Sequence, residues 1–278
     1  RNKSMTMTPQ TNKPVIVRQV WADNLEFEIS QINEAILDYP FVAIDTEFPG
    51  TIFQLKPNMT YLSHYPPFNY YMMKSNIDAL NIIQLGLTLS DSEGRMPCFG
   101  TEFSVLWEFN FRDFDIDRDH QNPESISLLQ RQGIDLKRNK KEGINSWDFA
   151  ELVASYGLVR NSSKLTWVTF HGSYDFGFLI KILTQRCLPC DIDSLMDLVA
   201  DYFGFKVYDM KYMIQFSNGL HGGLERVAKS LYVERMVGKS HQAGSDSLLT
   251  MQAFLRYTER YSKDYKNHNK KNFVLYGL

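Results

Sequence analysis

The stretch "FVAIDTEFPG", residues 41–50, predicts the centre of the fold and raises the main chemical question of the sequence. Its opening run, "FVAI", is apolar on both faces of an extended chain, which is typical of a buried central strand. Side chains alternate along a strand, so Asp45 and Glu47 point to the same side and their carboxylates repel each other. Either a cation neutralises the pair or both groups lie in water.

The rest of the chain alternates strand-like and helix-like segments without repeats, which is typical of an α/β domain. Apolar patterning predicts further strands at residues 14–20, 82–90, 104–111, 164–170 and 206–213, the last being a short strand that leads into a helix. It predicts a helix over 24–38 and a polar helical region over 123–157. The two consecutive strands at 82–90 and 104–111 indicate an antiparallel opening of the sheet.

A length of 278 residues and an apolar content of 44% suffice for one α/β domain with a real core. We expect that core over residues 14–262, followed by a C-terminal extension over 263–278. Charges interrupt every apolar stretch well before the roughly 18 residues of a membrane span. No secretory signal precedes residue 15, so we expect a soluble, intracellular protein without membrane contact.

The net charge of −2 argues weakly against a nonspecific coat on nucleic acid, because such proteins are normally strongly basic. This net charge does not exclude an enzyme that binds a short single strand of nucleic acid. Two basic runs, "KRNKK" at 137–141 and "KDYKNHNKK" at 263–271, are more typical of solvated faces than of RNA contacts.

Three cysteines cannot form a disulfide framework. Cys187 and Cys190 form a C-x-x-C pattern that suits half of a zinc site or a redox pair, but Cys98 is the only other thiol. A structural zinc site needs a second close pair of Cys or His. Reduced thiols near a helix start are therefore the favoured interpretation.

Two later segments each place an aspartate in the first turn of a predicted helix. In "HGSYDFGFLIKIL", apolar residues recur at helical spacing after Ser173, a plausible N-cap, so Asp175 falls in the first turn. In "SHQAGSDSLLTMQAFLRY", Ser245 takes the same place before Asp246, with His241 one loop upstream. The helix dipole favours an anion at such positions, so each aspartate taken alone is equally well explained as part of a helix cap.

These motifs indicate more together than alone, because a strand end and two helix starts can converge at one edge of an α/β sheet, where ligands usually bind. Carboxylates within a few ångström raise one another's pKa and cannot all stay ionised unaided. Divalent cations resolve this conflict, and hard oxygen ligands suit Mg²⁺ or Mn²⁺. Two such ions about 4 Å apart are suited to an in-line attack on a phosphodiester.

The motifs "DTE", "HGSYDFGF" and "HQAGSD" give D-x-E, then Asp, then H-x-x-x-x-D, which resembles the DEDD exonucleases of the subtype with a catalytic histidine. That resemblance implies an α/β, ribonuclease-H-like fold, with a mixed β-sheet flanked by helices in a single domain. The blocks "FVAIDTEFPG", "IIQLGLTLSDSEG", "WEFNFRDF", "HQAGSDSLLT" and "LYGL" are similar to the Ccr-associated-factor (Caf/Pop) poly(A) deadenylases. These are the exonuclease subunits of the Ccr-Not complex. The similarity extends over nearly the whole chain, with one local departure at Gly172 and Ser173, where the expected order is Ser then Gly.

Carried over residue by residue, the resemblance implies that Asp45, Glu47 and Asp246 hold a first divalent ion, Mg²⁺ or Mn²⁺, and that Asp45 is shared with a second. It implies that Asp175 holds the second ion, directly or through water. His241 is implied as the general base for the water that attacks the terminal phosphodiester. The implied reaction is 3′ to 5′ removal of adenosines from a poly(A) tail, which releases 5′-AMP.

Two further residues are candidates for substrate contact. Phe48 is placed to pack against the terminal base or sugar, although an aromatic after a buried strand more often belongs to the core. Lys211 is a candidate for phosphate contact, with a surface ion pair as an equally open alternative, and its neighbour Asp209 is a candidate for supporting the site.

The resemblance also implies partners and a location. The partners are the 3′ end of single-stranded poly(A) RNA, a Ccr-Not scaffold subunit and the Ccr nuclease subunit, and the location is both cytoplasmic and nuclear.

Two other function classes stay open. A non-catalytic adaptor of an mRNA-decay complex would be favoured by loss of one of the four carboxylates, and none is lost. A DEDD exonuclease for DNA or short oligoribonucleotides would use the same metal site, so only the long similar blocks argue against it.

Overall fold

The structure is a computed structural model that describes residues 13–55, 62, 65–160, 164–261 and 272–278. In this part of the chain, six strands form one mixed sheet in the order β1-β4-β3-β2-β5-β6. The strands are β1 (Val15–Val20), β2 (Phe41–Glu47), β3 (Gln84–Ser90), β4 (Ser104–Asn110), β5 (Thr166–Thr169) and β6 (Val207–Asp209). All the predicted strands are present, and the short β6 leads directly into a helix as expected.

The helices flank this sheet. They are α1 (Leu25–Ala35), α2 (Pro66–Ala79), α3 (Pro123–Gln132), α4 (Leu136–Glu142), α5 (Ser146–Ser155), α6 (Ser173–Thr184), α7 (Ile192–Phe203), α8 (Met210–Met213), α9 (Leu224–Ser230) and α10 (Ala243–Arg260). The predicted polar helical region consists of three helices, α3 to α5. The apolar patterning did not predict α2, α7 or α9. Within the described residues, no helix is both long and apolar enough to cross a bilayer.

Strand β2 is central, as its apolar run predicts. It pairs antiparallel with β3 and parallel with β5, while β3 pairs antiparallel with β4, so the antiparallel opening of the sheet is confirmed. Val42 and Ile44 belong to a large apolar cluster that includes side chains of α1, α5, α6 and α7. Ala43 belongs to a second cluster, which includes side chains of α8, α9 and α10. Because helices cover both faces of β2, its side chains show no alternation of apolar and polar residues.

Helix α10 lies unusually close to the sheet because β3 has a glycine where the two meet. Gly86 pairs with Asp45 across β2 and β3. A Cβ atom built at Gly86 would lie 1.9 Å from the carbonyl oxygen of Ala243, the first residue of α10. Any larger side chain would therefore push the start of α10 away from the end of β2, where Asp45 and Glu47 are.

Both predicted serine N-caps are wrong, although the helices they were meant to begin are present. Ser173 is the first helical residue of α6, and Gly172 takes the cap position without a side-chain bond. Helix α10 begins at Ala243, so Ser245 lies inside its first turn. The N–H of Gly244 donates instead to Oε2 of Glu108 on β4 at 2.9 Å. The first turn of α10 is thus satisfied by a buried carboxylate from the sheet, which a local sequence pattern does not reveal.

The basic run at 137–141 lies in α4, and three of its four charges, on Arg138, Lys140 and Lys141, are paired with acids. Lys140 lies 2.7 Å from Asp115, and Arg138 pairs with Glu142 at 2.7 Å. This supports the interpretation of a solvated, locally neutral face. The second basic run, at 263–271, lies outside the described residues.

Cys98, Cys187 and Cys190 are free thiols.

Candidate metal and active site

The four predicted carboxylates lie together at the end of β2. Asp45 and Glu47 leave the strand on the same side, as strand alternation requires. Asp175 stands in the first turn of α6 and Asp246 in the first turn of α10. The charges of Asp175, Asp246 and Glu47 each raise the pKa of Asp45, so the four groups lie within electrostatic reach of one another.

Burial is the largest cause of the high pKa values of the two strand carboxyls. Desolvation raises the pKa of Asp45 and of Glu47 well above the ordinary range, and repulsion from Asp175 and Asp246 adds to both shifts. The side chains of the cluster have little access to water, since Glu47 is 8% exposed and Asp175 is 6% exposed. A proton or a cation is therefore needed to relieve the accumulated negative charge.

Three side chains form the tightest group of ligand-type atoms. Glu47, His241 and Asp246 each offer one atom, and these atoms all lie within 4.8 Å of one another. Across the described residues, no other set of three His, Cys, Asp or Glu side chains meets this condition. Cys187 and Cys190 are not part of such a set, which agrees with the interpretation of C-x-x-C as ordinary thiols.

Asp175 is held to the sheet by hydroxyl and amide donors. Its Oδ1 accepts hydrogen bonds from the N–H of Thr46 at 2.9 Å and from the hydroxyl of Thr46 at 2.6 Å. Its Oδ2 accepts from the hydroxyl of Thr169 at 2.7 Å. Burial raises the pKa of Asp175 to about 6, because these donors offset only part of the desolvation. They also fix the carboxylate of α6 beside β2.

Asp45 has no such support. Burial and three neighbouring carboxylates raise its pKa, Arg235 lowers it, and no hydrogen bond is among the main causes. A half-buried carboxylate without a donor, surrounded by other carboxylates, is suited to a cation. The donors around it are hard carboxylate oxygens, the ligands that Mg²⁺ and Mn²⁺ prefer. The residues present therefore fit divalent cations.

His241 stands at the edge of the carboxylate group in a strained backbone conformation. Its φ of 61° lies in the left-handed region, which non-glycine residues rarely adopt. Its N–H donates to Oδ2 of Asp246 at 2.9 Å, which helps to hold this conformation. The side chain is 49% exposed, with Nδ1 3.9 Å from Oε1 of Glu47. The imidazole thus reaches both the acidic group and solvent.

Arg235 is part of the site, although no motif in the sequence predicts it. Its guanidinium donates to Oδ1 of Asp246 at 2.6 Å and to Oε1 of Glu225 at 2.5 Å, and it also contacts the hydroxyl of Ser245. Its side chain is only 13% exposed. One signal was available, a cation in the same loop as His241, but spacing alone does not distinguish such a residue from a surface charge.

The two predicted substrate contacts have other neighbours here. The ring of Phe48 stacks on Tyr174 with centroids 5.1 Å apart and packs against Phe178 at 4.9 Å, so it lies at the margin of the core. The ammonium of Lys211 donates to the carbonyl of Gly222 and lies 5.7 Å from the ring centre of Tyr276. Contact of either residue with RNA stays a prediction.

Sequence comparison identifies relatives over most of the chain. The model of the CAF1 family ribonuclease matches residues 20–151. The probable CCR4-associated factor 1 homolog 7 of Arabidopsis thaliana is 45% identical over 263 residues, which cover 94% of this chain and 93% of that protein. The poly(A) ribonuclease pop2 of Schizosaccharomyces pombe is 40% identical over 265 residues, which cover 94% of this chain and 75% of that protein.

Solved structures agree. S. pombe Pop2p in its Mg²⁺- and Mn²⁺-bound form matches with a TM-score of 0.83 and 38% identity, covering 94% of this chain and 99% of that one. Yeast CAF1, co-crystallised with the NOT1 MIF4G domain, matches with a TM-score of 0.77 and 30% identity over 98% of this chain and 100% of the other. The α/β, ribonuclease-H-like fold predicted from sequence is confirmed.

Stability of the metal-free protein should increase on mild acidification. An acid whose pKa is raised by folding binds its proton more tightly in the folded state, so folding gains free energy as the pH falls toward that pKa. For Asp175 the window runs from about 6 down to the ordinary 3.8, and the raised pKa values of Asp45 and Glu47 act in the same direction. We expect a gain of roughly 1 to 2 kcal/mol between pH 7.5 and 5.5 in chelator, measured by urea denaturation.

The Asp45→Asn variant is the control for this dependence, because it removes one of the repelling charges. Burial lowers the pKa of His171, which opposes the gain on acidification, and the variant keeps that contribution unchanged. The slope of stability against pH should be clearly shallower in the variant. Equal slopes in the two proteins would show that the carboxylates do not cause the dependence.

Replacing Arg235 by Met should destabilise the metal-free protein by about 2 kcal/mol, because Asp246 then lacks its cation in a mostly buried site. Saturating Mn²⁺ should stabilise this variant more than the wild type, since the ion replaces the missing positive charge. The measurement is thermal unfolding in chelator and in Mn²⁺. Arg256→Met is the matched control, because Arg256 pairs with Glu259 on the exposed side of α10, the helix that carries Asp246. Equal or smaller stabilisation of Arg235→Met by Mn²⁺ contradicts the interpretation.

Proposed function

Because the chain belongs to the CAF1 family of ribonucleases, we propose that it is a metal-dependent 3′ to 5′ exoribonuclease that shortens poly(A) tails and releases 5′-AMP. The observation that carries this function is the grouping of Glu47, His241 and Asp246 within 4.8 Å at one end of the central strand, with Asp45 and Asp175 within electrostatic reach. Members of the family share the fold, but only this arrangement of side chains supports the chemistry.

The carboxylates are proposed to hold two divalent ions. Asp45, Glu47 and Asp246 would hold the first, Asp45 and Asp175 the second, the latter directly or through water. The related S. pombe Pop2p has been solved with Mg²⁺ and Mn²⁺ bound. When bound, such ions lower the pKa of water and stabilise the charge on the departing 3′ oxygen.

His241 is proposed as the general base. Its imidazole is accessible to solvent and adjoins Glu47, so it can accept the proton of the attacking water at a ring nitrogen. The hydrogen bond from its N–H to Asp246 links the position of the base to a carboxylate that would hold metal. The same hydrogen bond therefore positions both the proposed proton acceptor, His241, and the proposed metal ligand, Asp246.

The chain's own cation has a different role from the bound ions. Arg235 contacts Asp246 from the side of α9, where it also binds Glu225. It therefore stabilises the folded loop before α10 without neutralising all four carboxylates. The other carboxylates still depend on protons or divalent ions, and we expect RNA phosphates to bind well only when divalent ions are present.

Assembly into the Ccr-Not complex is part of the proposed function. A yeast CAF1 with 30% identity has been co-crystallised with the NOT1 MIF4G domain, which supports a scaffold partner of that type for this chain. The Ccr nuclease subunit is proposed as a second partner, and the cytoplasm and nucleus as the locations. The non-catalytic adaptor is the weaker alternative, because the carboxylates and His241 are all present and lie close together.

The first test is a time course on 5′-labelled RNA with a 3′ adenosine tail in Mg²⁺ or Mn²⁺. We expect stepwise shortening that slows at the tail boundary, releases 5′-AMP and disappears in chelator and with Asp45→Ala. A matched DNA substrate and a tail of another base are the controls for substrate class. Tight RNA or partner binding without shortening in either metal would favour the adaptor, and equal cleavage of DNA would favour the other exonuclease function.

His241→Ala should retain Mn²⁺ affinity and RNA binding but reduce the rate by roughly 10² or more, because the base contributes to proton transfer. Single-turnover kinetics and Mn²⁺ titration separate these effects. His221→Ala is the matched control, since His221 is an exposed histidine whose ring contacts Arg226 outside the carboxylate group. A near-normal rate for His241→Ala would remove its role as base.

A further inference from the structure

A cleft of about 590 Å³ opens beside the carboxylates. It is formed by the loop after β2, one side of α2, the turn before α6 and the C-terminal turn. Residues that line it include Phe53, Gln54, Asn69, Ser173, Gln215 and Tyr276. Its volume lies in the range of pockets that bind small organic ligands.

Two segments of the chain lead from the lining of the cleft to the residues of the proposed active site, although none of the four carboxylates lines the cleft itself. Ser173 and Tyr174 line it and directly precede Asp175. Thr51 and Phe53 line it and follow Asp45 and Glu47 along the chain as it leaves β2. A strand end of RNA whose last phosphodiester reaches the carboxylates can therefore place an adjoining nucleoside in the cleft.

The cleft differs from the carboxylate site in its charge. Among the described residues that line it there is no Lys, Arg, Asp or Glu. Its one histidine, His171, has a pKa lowered by burial, which favours the neutral ring. The remaining polar groups are mainly amides and hydroxyls, which recognise uncharged donors and acceptors. The cleft is thus suited to a base and its ribose rather than to phosphates.

One wall of the cleft is fixed by a buried amide. Asn76 of α2 is 1% exposed, and its Oδ1 accepts from the N–H groups of Ile52 at 2.8 Å and Phe53 at 2.9 Å. Its Nδ2 donates to the carbonyl of Phe53 at 2.9 Å. These bonds hold the loop after β2 and leave the ring of Phe53 46% exposed. An exposed aromatic on a pinned loop is a ready stacking surface.

A second wall is fixed by a buried carboxylate. Asp209 is 1% exposed, and it accepts hydrogen bonds from the N–H of Tyr276 at 2.9 Å and from the N–H groups of His171 at 2.8 Å and Gly172 at 3.0 Å. It therefore joins the C-terminal turn to the segment that precedes α6. The side chain of Asn69 adds a bond to the carbonyl of Gly277 at 3.1 Å. Both walls are thus set before a ligand binds.

We propose that this neutral cleft binds one of the last adenosines of the RNA, with Phe53 stacking on the base and the amides of Gln54 and Gln215 contacting the base edge. Asparagine and glutamine amides match the adjacent donor and acceptor of adenine, which gives the cleft a preference for that base. The inference deepens the proposed function and rests on it for the nature of the substrate. Under this proposal Asp209 and Asn76 are positioning residues, because they hold the walls of the cleft in place and affect the adenosine only through them.

The test combines removal of the base with removal of the ring. A short oligoadenylate with a phosphorothioate at its last linkage serves as a slowly cleaved ligand in Mg²⁺. Versions that lack the base at the first, second or third nucleotide from the 3′ end are compared by fluorescence anisotropy. Wild type, Phe53→Ala and Gln215→Ala are measured on each ligand. Phe27→Ala is the matched control, because Phe27 is 56% exposed on α1 and does not line the cleft.

Wild type should bind one of the abasic ligands about ten-fold more weakly than the complete oligomer, as expected for a lost stacking interaction. Phe53→Ala should bind the complete oligomer and that abasic version with nearly equal affinity. Gln215→Ala should reduce the preference for adenine over cytosine at the same nucleotide position. Phe27→Ala should behave like wild type. If the loss of affinity from Phe53→Ala simply adds to the loss from base removal at every position, the proposal is overturned. A merely structural effect of Phe53→Ala would weaken the binding of all ligands alike.

This outcome is separable from the failure of the proposed function. If wild type shortens polyadenylated RNA but shows no coupling between Phe53 and any base, the enzyme is confirmed and the cleft is not the adenosine site. If wild type shortens no RNA, the time course has failed, while the binding measurements on the phosphorothioate oligomer still decide whether the cleft holds a base.

Discussion

The constraint on which this structure depends is the concentration of four carboxylates at the buried end of one strand. Burial and mutual repulsion raise the pKa of Asp45 and Glu47 well above the ordinary range, so the arrangement opposes folding unless protons or cations relieve it. Stabilisation therefore has to come from elsewhere in the molecule. The extensive apolar packing on both faces of β2 supplies it, and the strain is confined to the strand end.

Two helix starts are brought to that strand end by different means. Asp175 of α6 is fixed by hydrogen bonds from Thr46 of β2 and Thr169 of β5. These bonds lie just beyond the residues through which β2 and β5 pair with each other. Asp246 of α10 depends on close approach of the helix to β3, which the absence of a side chain at Gly86 permits. Each carboxylate is thus oriented by its neighbours rather than by its own helix. Arg235 then neutralises part of the charge on the α10 side only.

The site and the adjoining cleft divide recognition between them. The carboxylate group offers negative charge and suits metal ions with phosphate, whereas the cleft offers uncharged groups and an exposed ring. Buried polar residues, Asn76 and Asp209, hold the cleft walls and leave those surface groups in place. Separating the two chemistries allows base selection without placing additional cations beside the metal ligands.

The central strand, the α/β class and the site carboxylates were predictable from local signals: an unbroken apolar run, strand alternation and helical spacing. Resemblance to a known family added the ion that each carboxylate would hold and the role of His241 as the base. Tertiary structure alone decided the rest. It placed Gly172 rather than Ser173 at the N-cap of α6. It also began α10 at Ala243, ahead of Ser245, where Glu108 on β4 satisfies the first turn. It also brought Arg235 to Asp246 and Asp209 to the C-terminal turn, since contacts between residues far apart in sequence depend on how the chain packs and leave no periodic pattern.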